Sequence, residues 1–230
     1  MNLQIHVNLL FIKKKNNIMG QKVHPIGLRL GVSQNWSSSW NSTINYSNLL
    51  YEDLLIRKYL EQQCKPFYFL IGKLIIKRSL NKVHIILCVY NEYFNTKLYT
   101  HIKEKSIWYL NLRKFLFKLN KSSCTLSIIQ TKNIHSTAEL LGYYISKELK
   151  KKRSVGIILQ NIIKQVKKNK KIKGIKIVCS GRFNGVQMAK KEFIKYGKIP
   201  LNSLNLKIDY SKQITKSIYG VYGIKIWIYK

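Results

Sequence analysis

Apolar residues recur at two spacings through the middle of the chain, and together they predict a small sheet with helices on one face. Residues 50–60 and 108–119 carry apolar side chains every three to four positions, which is typical of helices with one buried side. Continuous apolar runs predict three strands, over 67–76, 83–90 and 124–129, and a basic turn joins the first two. The predicted order is therefore helix, two strands, helix, strand.

The last hundred residues show patterns of helices and strands more clearly. An apolar stripe over 138–149 predicts a helix that His135, Ser136 or Thr137 caps, and cations at its end complement the helix dipole. Further helices are predicted over 155–166 and over 187–196, where Gly197 ends the last one. Residues 174–185 are predicted to form a strand followed by a turn and a loop. Further strands are predicted over 205–210, 214–219 and 223–229, the last by strict alternation of isoleucine with larger or charged residues.

The first fifty residues differ from the rest of the chain in composition and pattern. Residues 1–18 join a short apolar stretch to three lysines, and we interpret them as a terminal extension, neither a secretory signal nor a transit peptide. Residues 19–50 combine glycines, cations and the indoles of Trp36 and Trp40 without periodicity. Such a segment buries itself poorly but can lie along RNA, where cations meet phosphates and indoles stack. The alternative is a disordered tail. The predicted divisions are 1–49, 50–132 and 133–230.

Charge is the most unusual property of the chain. It holds 42 lysines and arginines against 9 acidic residues, a formal net charge of +33. A compact protein with that charge favours a polyanionic partner, and nucleic acid fits because neutralised phosphates release counterions. A membrane is a weaker alternative, since no apolar run approaches the roughly 20 residues that cross a bilayer.

The same composition argues against an enzyme and against a metal site. The few carboxylates are scattered, and the adjacent Glu52 and Asp53 are interpreted as ordinary first-turn acids of a helix. The four cysteines show no C-x-x-C pair and no histidine at ligand spacing, which favours buried, reduced thiols over zinc or a disulfide. We expect no catalytic residue, no metal and no cofactor.

Two sets of motifs resemble a known family. MGQKVHPIGLRLG at 19–31, followed by NWSSSWN, resembles the start of the universal S-three family of small-subunit ribosomal proteins. GIKIVCSGRFNGVQMAKKEF, GKIPLNSL, KIDY and IYGVYGIKIWIYK resemble, block after block, the second domain of that family. These motifs cover about half of the chain at its two ends, in the right order.

The resemblance implies an α+β fold with an extended basic N-terminal arm, a degenerate type II KH-like domain and a small α/β C-terminal domain. It also implies a structural role in the head of the small subunit. Its expected partners there are small-subunit rRNA, mRNA at the entry channel, and neighbouring head proteins. We expect no membrane span and no homo-oligomer. The expected RNA-binding residues are Gln21, Lys22, His24, Pro25, Gly27, Arg29, Trp36, Lys150, Lys151, Lys152, Arg153, Ser180, Gly181, Arg182, Lys190 and Lys191.

Two departures from the family pattern qualify this picture. KH domains clamp nucleic acid with a G-x-x-G loop, but no glycine lies between Gly72 and Gly142, so the stretch around 91–105 lacks that loop. Our hypothesis is that the KH-like unit is a protein-packing scaffold. Residues 156–161, GIILQN, stand where bacterial members carry Arg and Lys beside the mRNA, which puts mRNA unwinding in doubt.

Location and alternatives follow from the same features. Enrichment in Lys, Asn, Ile and Tyr is typical of AT-rich coding, and with the degenerate KH loop it favours the mitochondrial matrix, with a plastid as the alternative. A free RNA-binding regulator or ribosome-assembly factor is the alternative function, although it would be expected to keep a working KH clamp. A nucleic-acid enzyme would need clustered carboxylates or a phosphate loop, and neither appears.

Overall fold

The computed structural model describes residues 22–64, 69–79, 82–91, 110–111, 113–115, 117–118, 123–131, 133–169 and 171–230. In chain order the elements are α1 (Pro25–Arg29), β1 (Ser38–Ser39), α2 (Tyr46–Cys64), β2 (Phe69–Ser79), β3 (Lys82–Asn91), α3 (described residues between 110 and 118), β4 (Ser123–Gln130), α4 (Ala138–Lys150), α5 (Val155–Lys168), β5 (Gly174–Gly181), β6 (Lys190–Gly197), β7 (Ile208–Ser217) and β8 (Gly220–Tyr229). The strands form two sheets of four, and we call the parts built on them the first and second units.

The first unit follows the predicted order of elements. Its sheet runs β1-β2-β3-β4, with β2 and β3 antiparallel and β3 and β4 parallel. Helix α2 buries Ile56 and Leu60 in the same cluster as Ile76 and Ile85 of the sheet. Helix α3 packs beside α2, since the rings of Tyr59 and Phe115 stack with centroids 3.6 Å apart. The predicted G-x-x-G position lies almost entirely outside the described residues.

Glu52 and Asp53 are not ordinary first-turn acids, so that interpretation was wrong. The guanidinium of Arg78 on β2 donates to Asp53 Oδ1 at 2.6 and 2.9 Å and to Glu52 Oε2 at 2.8 Å. Asp53 is buried, and its second oxygen accepts a hydrogen bond from Trp40 Nε1 at 2.8 Å. Adjacent helical residues point in different directions, but one planar guanidinium with several donors reaches both. This cluster anchors the edge of the Trp40 indole to helix α2.

The second unit is an antiparallel sheet, β6-β5-β8-β7, with helices on one face. Helix α4 begins as predicted at a threonine cap, because Thr137 accepts a hydrogen bond from the Leu140 amide at 3.3 Å. The helices bury residues such as Leu141 and Ile162 against the isoleucines of β5 and β8. The predicted strands over 205–210 and 214–219 fall on the single strand β7, but residues 205–207 lie before the strand and residues 218–219 lie in the turn after it.

The predicted helix over 187–196 is wrong, since this segment forms the edge strand β6. Its residues pair antiparallel with β5 from Lys190 opposite Gly181 to Gly197 opposite Gly174. Ile194 and Tyr196 pack on the core while Lys195 between them is exposed, so the period is two. An unpaired edge of β5 would leave backbone groups without partners, and this demand overrides the helix propensity of the local sequence.

The N-terminal arm is folded onto the second unit. Pro25 opens helix α1, whose cap is His24, and the Arg29 side chain is completely buried. Its guanidinium donates to Pro25 O and to four carbonyl oxygens of the loop before β7, those of Pro200, Leu201, Ser203 and Leu206, at 2.7–3.3 Å. The expectation of an arm without regular structure is therefore wrong for this stretch.

Cys64 and Cys179 are buried free thiols, and burial raises the pKa of each to about 12. In the described part of the chain no three His, Cys, Asp or Glu side chains are grouped to hold a metal ion. Among the same residues, no helix combines the length and apolar character needed to cross a membrane.

Glu139, in the first turn of α4, gives the fold a dependence on pH. Burial raises the pKa of Glu139 to about 7, and the charges of Asp209 and Glu61 add to the rise, while those of Lys73 and Arg57 oppose it. The folded chain therefore binds this proton more tightly than the unfolded chain, whose group titrates near 4.5. This stability is present below pH 4.5 and is lost as pH rises through 7.

We expect Glu139→Gln to raise the thermal midpoint at pH 8 and to leave it nearly unchanged at pH 5, because the amide mimics the protonated acid. Thermal unfolding of both chains at the two pH values checks this. Glu192→Gln, on the exposed strand β6, is the control. A difference between the Glu139 variant and the parent chain that was equal at both pH values would contradict the raised pKa.

Candidate nucleic-acid interface

The face of the second sheet opposite α4 and α5 is basic and aromatic. Register places Lys195, Lys176, Trp227 and Tyr210 in one row across all four strands. The next row is Phe193, Val178, Lys225 and Lys212. We call these two rows the basic sheet face. Neither row contains an acidic residue. Phe193 is exposed and Trp227 half-buried, whereas Tyr210 is buried, so the surface combines cations for phosphates with two rings on which bases can stack.

Positive charges are crowded on this face. The ammonium of Lys176 lies 5.3 Å from the centre of the Trp227 ring. Burial lowers the pKa of Lys176, and the nearby charges of Lys22 and Lys195 lower it further. Like charges held this close destabilise one another, and a bound phosphate would relieve that repulsion.

The arm reaches the border of the basic sheet face. The imidazole of His24 meets the ring of Tyr210 edge-on, with centroids 4.8 Å apart. Lys22, His24 and Gly27 are exposed, and so is Trp36, at 64%. These predicted contacts therefore remain open to a partner.

The three remaining predicted RNA contacts in the arm are Arg29, Pro25 and Gln21. Arg29 was predicted to contact rRNA, and this is wrong because its side chain is buried and committed to backbone carbonyls. Pro25 is also buried, at the first turn of α1. Gln21 lies outside the described residues.

Five predicted residues meet where β5 ends beside β6. Register pairs Ser180 with Lys191 and Gly181 with Lys190, and Arg182 follows directly. A side chain at Gly181 would strike the Tyr222 ring, since an added Cβ would lie 2.4 Å from it, and its φ of +154° favours glycine. Arg182, Lys190 and Lys191 are exposed, so this corner extends the basic sheet face.

The predicted basic group Lys150–Arg153 divides into two pairs. Lys151 donates to Glu148 at 2.9 Å, and Arg153 donates to the other oxygen of the same carboxylate. Lys150 and Lys152 are exposed, and within the described chain neither forms an ion pair with a carboxylate. The turn therefore presents two cations to a partner and uses two to hold itself together.

Comparison with known proteins gives the family. Residues 145–228 match the family model described as "Ribosomal protein S3, C-terminal domain". Small ribosomal subunit protein uS3 of Lysinibacillus sphaericus is 34% identical over 212 residues, covering 92% of this chain and 94% of that protein. The uS3 protein of Ehrlichia canis is 33% identical with 92% and 96% covered, and uS3c of Cyanophora paradoxa is 34% identical with 92% and 94% covered. The chain belongs to the uS3 family.

This confirms the resemblance drawn from the motifs at the two ends of the chain, and the similarity to uS3 proteins extends through the middle as well. The family model covers α5 and most of the second sheet, the part that carries the basic sheet face.

Sequence reasoning missed most of the basic sheet face, although a signal was present. The alternation over 223–229 puts Lys225, Trp227 and Tyr229 on one side of a strand, opposite the buried isoleucines. Once β8 is recognised as a central strand, that side must be a surface. Phe193 and Lys195 were hidden by the wrong helix prediction, because a helix would not align them with β5.

Proposed function

We propose that this chain binds rRNA in the head of the small ribosomal subunit through the basic sheet face, the exposed part of the arm and the β5–β6 corner. As a member of the uS3 family it is a structural constituent of the small ribosomal subunit and not an enzyme. The observation that carries the RNA proposal is the row of Lys195, Lys176 and Trp227, where crowded cations flank an aromatic ring.

Electrostatics gives the proposal its driving force. Each phosphate that a lysine neutralises releases counterions, so several lysines on one face make binding strong and dependent on salt. Aromatic rings between them add stacking that tolerates any base. The surface is thus suited to the unpaired or irregular regions of a folded RNA.

The contacts with mRNA and with other head proteins are part of the same proposal. Lys150 and Lys152 project from the α4–α5 turn and would border the channel where mRNA enters. The first unit exposes Leu50, Tyr51 and Leu54 on α2, which supports its proposed role as a degenerate KH-like scaffold that packs on neighbouring proteins. We propose one copy for each subunit, without homo-oligomers.

For location we propose the mitochondrial matrix, with a plastid as the alternative. The support is the drift in composition and the glycine-free stretch where a KH clamp belongs. Sedimentation of an organelle lysate, with subunits split at low magnesium, tests the assignment. Stoichiometric migration with the mitochondrial small subunit is expected, whereas protein at the top of the gradient would favour a free regulator or assembly factor.

Replacing Lys176, Lys195 and Lys225 together with glutamine is expected to weaken binding to small-subunit rRNA and to reduce the slope of log affinity against log salt by about 3, one for each lost phosphate contact. Filter binding of the full chain over a range of salt concentrations measures the slope.

A matched variant separates this face from charge in general. Lys58, Lys114 and Lys118 are exposed on the first unit, and their replacement with glutamine removes the same net charge. This control is expected to change the slope much less. Equal losses in the two triple variants would show that net charge binds the RNA, not the basic sheet face.

A further inference from the structure

A cavity of about 430 Å³ lies between the end of α4, the start of α5 and the β7–β8 turn. It is separate from the basic sheet face. It lies between the Lys150–Arg153 turn and the loop after Arg182, which are distant in sequence. Its volume is in the range of cavities that bind small ligands.

The floor and one wall of the cavity are aromatic. Phe183 and Tyr222 form the floor, with ring centroids 5.2 Å apart, and the Tyr222 hydroxyl donates to Arg182 O at 3.3 Å. Tyr219 forms the wall and is 43% exposed. Its ring lies over Gly185, where an added Cβ would be 3.2 Å from the ring, so the absence of a side chain at Gly185 lets the ring lie this close.

The rim of the cavity is cationic. Lys150, Lys152 and Lys216 line it and are all exposed. No described carboxylate forms an ion pair with any of the three, whereas Arg153, also on the rim, is paired with Glu148. A ligand that suits both parts is flat and apolar at one end and anionic at the other.

We propose that this cavity binds a single unstacked nucleotide of RNA. Its base lies against Tyr219 above the Phe183–Tyr222 floor, and its phosphate meets Lys150, Lys152 and Lys216. Aromatic faces stack any base and lysines bind phosphate as point charges, so the site selects an unpaired nucleotide and not a particular sequence. The inference rests on the proposed function, because it assumes that the chain is bound in a ribosomal subunit beside rRNA and mRNA.

The test uses small subunits that contain the full chain, either as found or with one tyrosine changed. Irradiation at 254 nm and mass spectrometry map RNA cross-links on the protein, and dimethyl sulfate and carbodiimide report which bases are protected. Subunits with and without bound mRNA distinguish the two sources of the nucleotide. We expect a cross-link within residues 216–222 and one protected, unpaired base.

Tyr219→Leu is expected to increase the reactivity of that base about tenfold, the loss expected when one stacking ring is removed. Tyr219→Phe keeps the ring and is expected to keep the protection. Tyr46→Leu makes the same exchange at an exposed tyrosine of the first unit and is expected to leave the reactivity of that base unchanged. If Tyr219→Leu does not fold, Lys150→Gln combined with Lys216→Gln keeps the ring and is expected to weaken the protection.

The outcomes separate this inference from the proposed function. Subunits that hold a full complement of the protein, yet show no cross-link within 216–222 and no change in base reactivity in either kind of variant, would overturn the nucleotide site and leave the proposed function standing. A protein absent from the subunits would overturn the proposed function itself. A protected base in rRNA or in mRNA supports the site in either case.

Discussion

Asp53→Ala is expected to lower the free energy of unfolding by roughly 3–5 kcal/mol, because it leaves the buried guanidinium of Arg78 with only part of its anionic partner. The two side chains are 3% and 8% exposed, so water cannot replace the lost contact. The change also removes the acceptor of the Trp40 indole. Burial alone would lower the pKa of Arg78, and the hydrogen bonds and charges of Asp53 and Glu52 more than reverse this. Urea unfolding followed by circular dichroism measures the effect.

Two further variants identify the cause of that loss. Glu52→Gln changes a carboxylate that is 29% exposed and is expected to cost about 1 kcal/mol or less. Asp53→Leu combined with Arg78→Met removes both buried charges, and we expect it to recover part of the stability that Asp53→Ala loses. A double variant less stable than Asp53→Ala would show that the ion pair itself stabilises the fold.

Arg29→Met is expected to destabilise the second unit by roughly 3 kcal/mol, since several carbonyl oxygens lose their donor at once and each unpaired buried group costs about 1–3 kcal/mol. The acceptors are backbone oxygens at the start of α1 and in the 200–206 loop. The arm should therefore detach from the loop before β7. Hydrogen exchange of residues 200–210 and of the arm, measured with the unfolding midpoint, reports that separation.

Arg29→Lys keeps the charge and has fewer donors on a compact ammonium, so we expect an intermediate loss. The comparison tests the corrected role of this residue. If Arg29→Met left stability intact and weakened only the binding of rRNA, the side chain would be an RNA contact after all and its burial in the free chain would not matter.

Elements with a buried face were predictable because their apolar residues repeat with the period of the element. The alternation in β8 and the stripe of α4 each carry enough core residues to fix the type of element, and the Thr137 cap marks where α4 begins. The prediction of strand β6 failed because six of its eight residues are exposed and the strand is defined by its neighbour β5. The predicted role of Arg29 failed because most of its partners are backbone oxygens some 170 residues away, which no local pattern reveals.

The sequence by itself determined the need for a polyanionic partner, the order of most helices and strands, and the family, because charge and motifs are read from residue types alone. The tertiary structure decided which cations remain free. It turned Arg29 inward, tied Lys151 and Arg153 to Glu148, and aligned Lys176, Lys195 and Trp227 on one surface. The physical reason is that a side chain binds a partner only if the fold leaves its polar atoms unpaired, and pairing depends on residues distant in sequence.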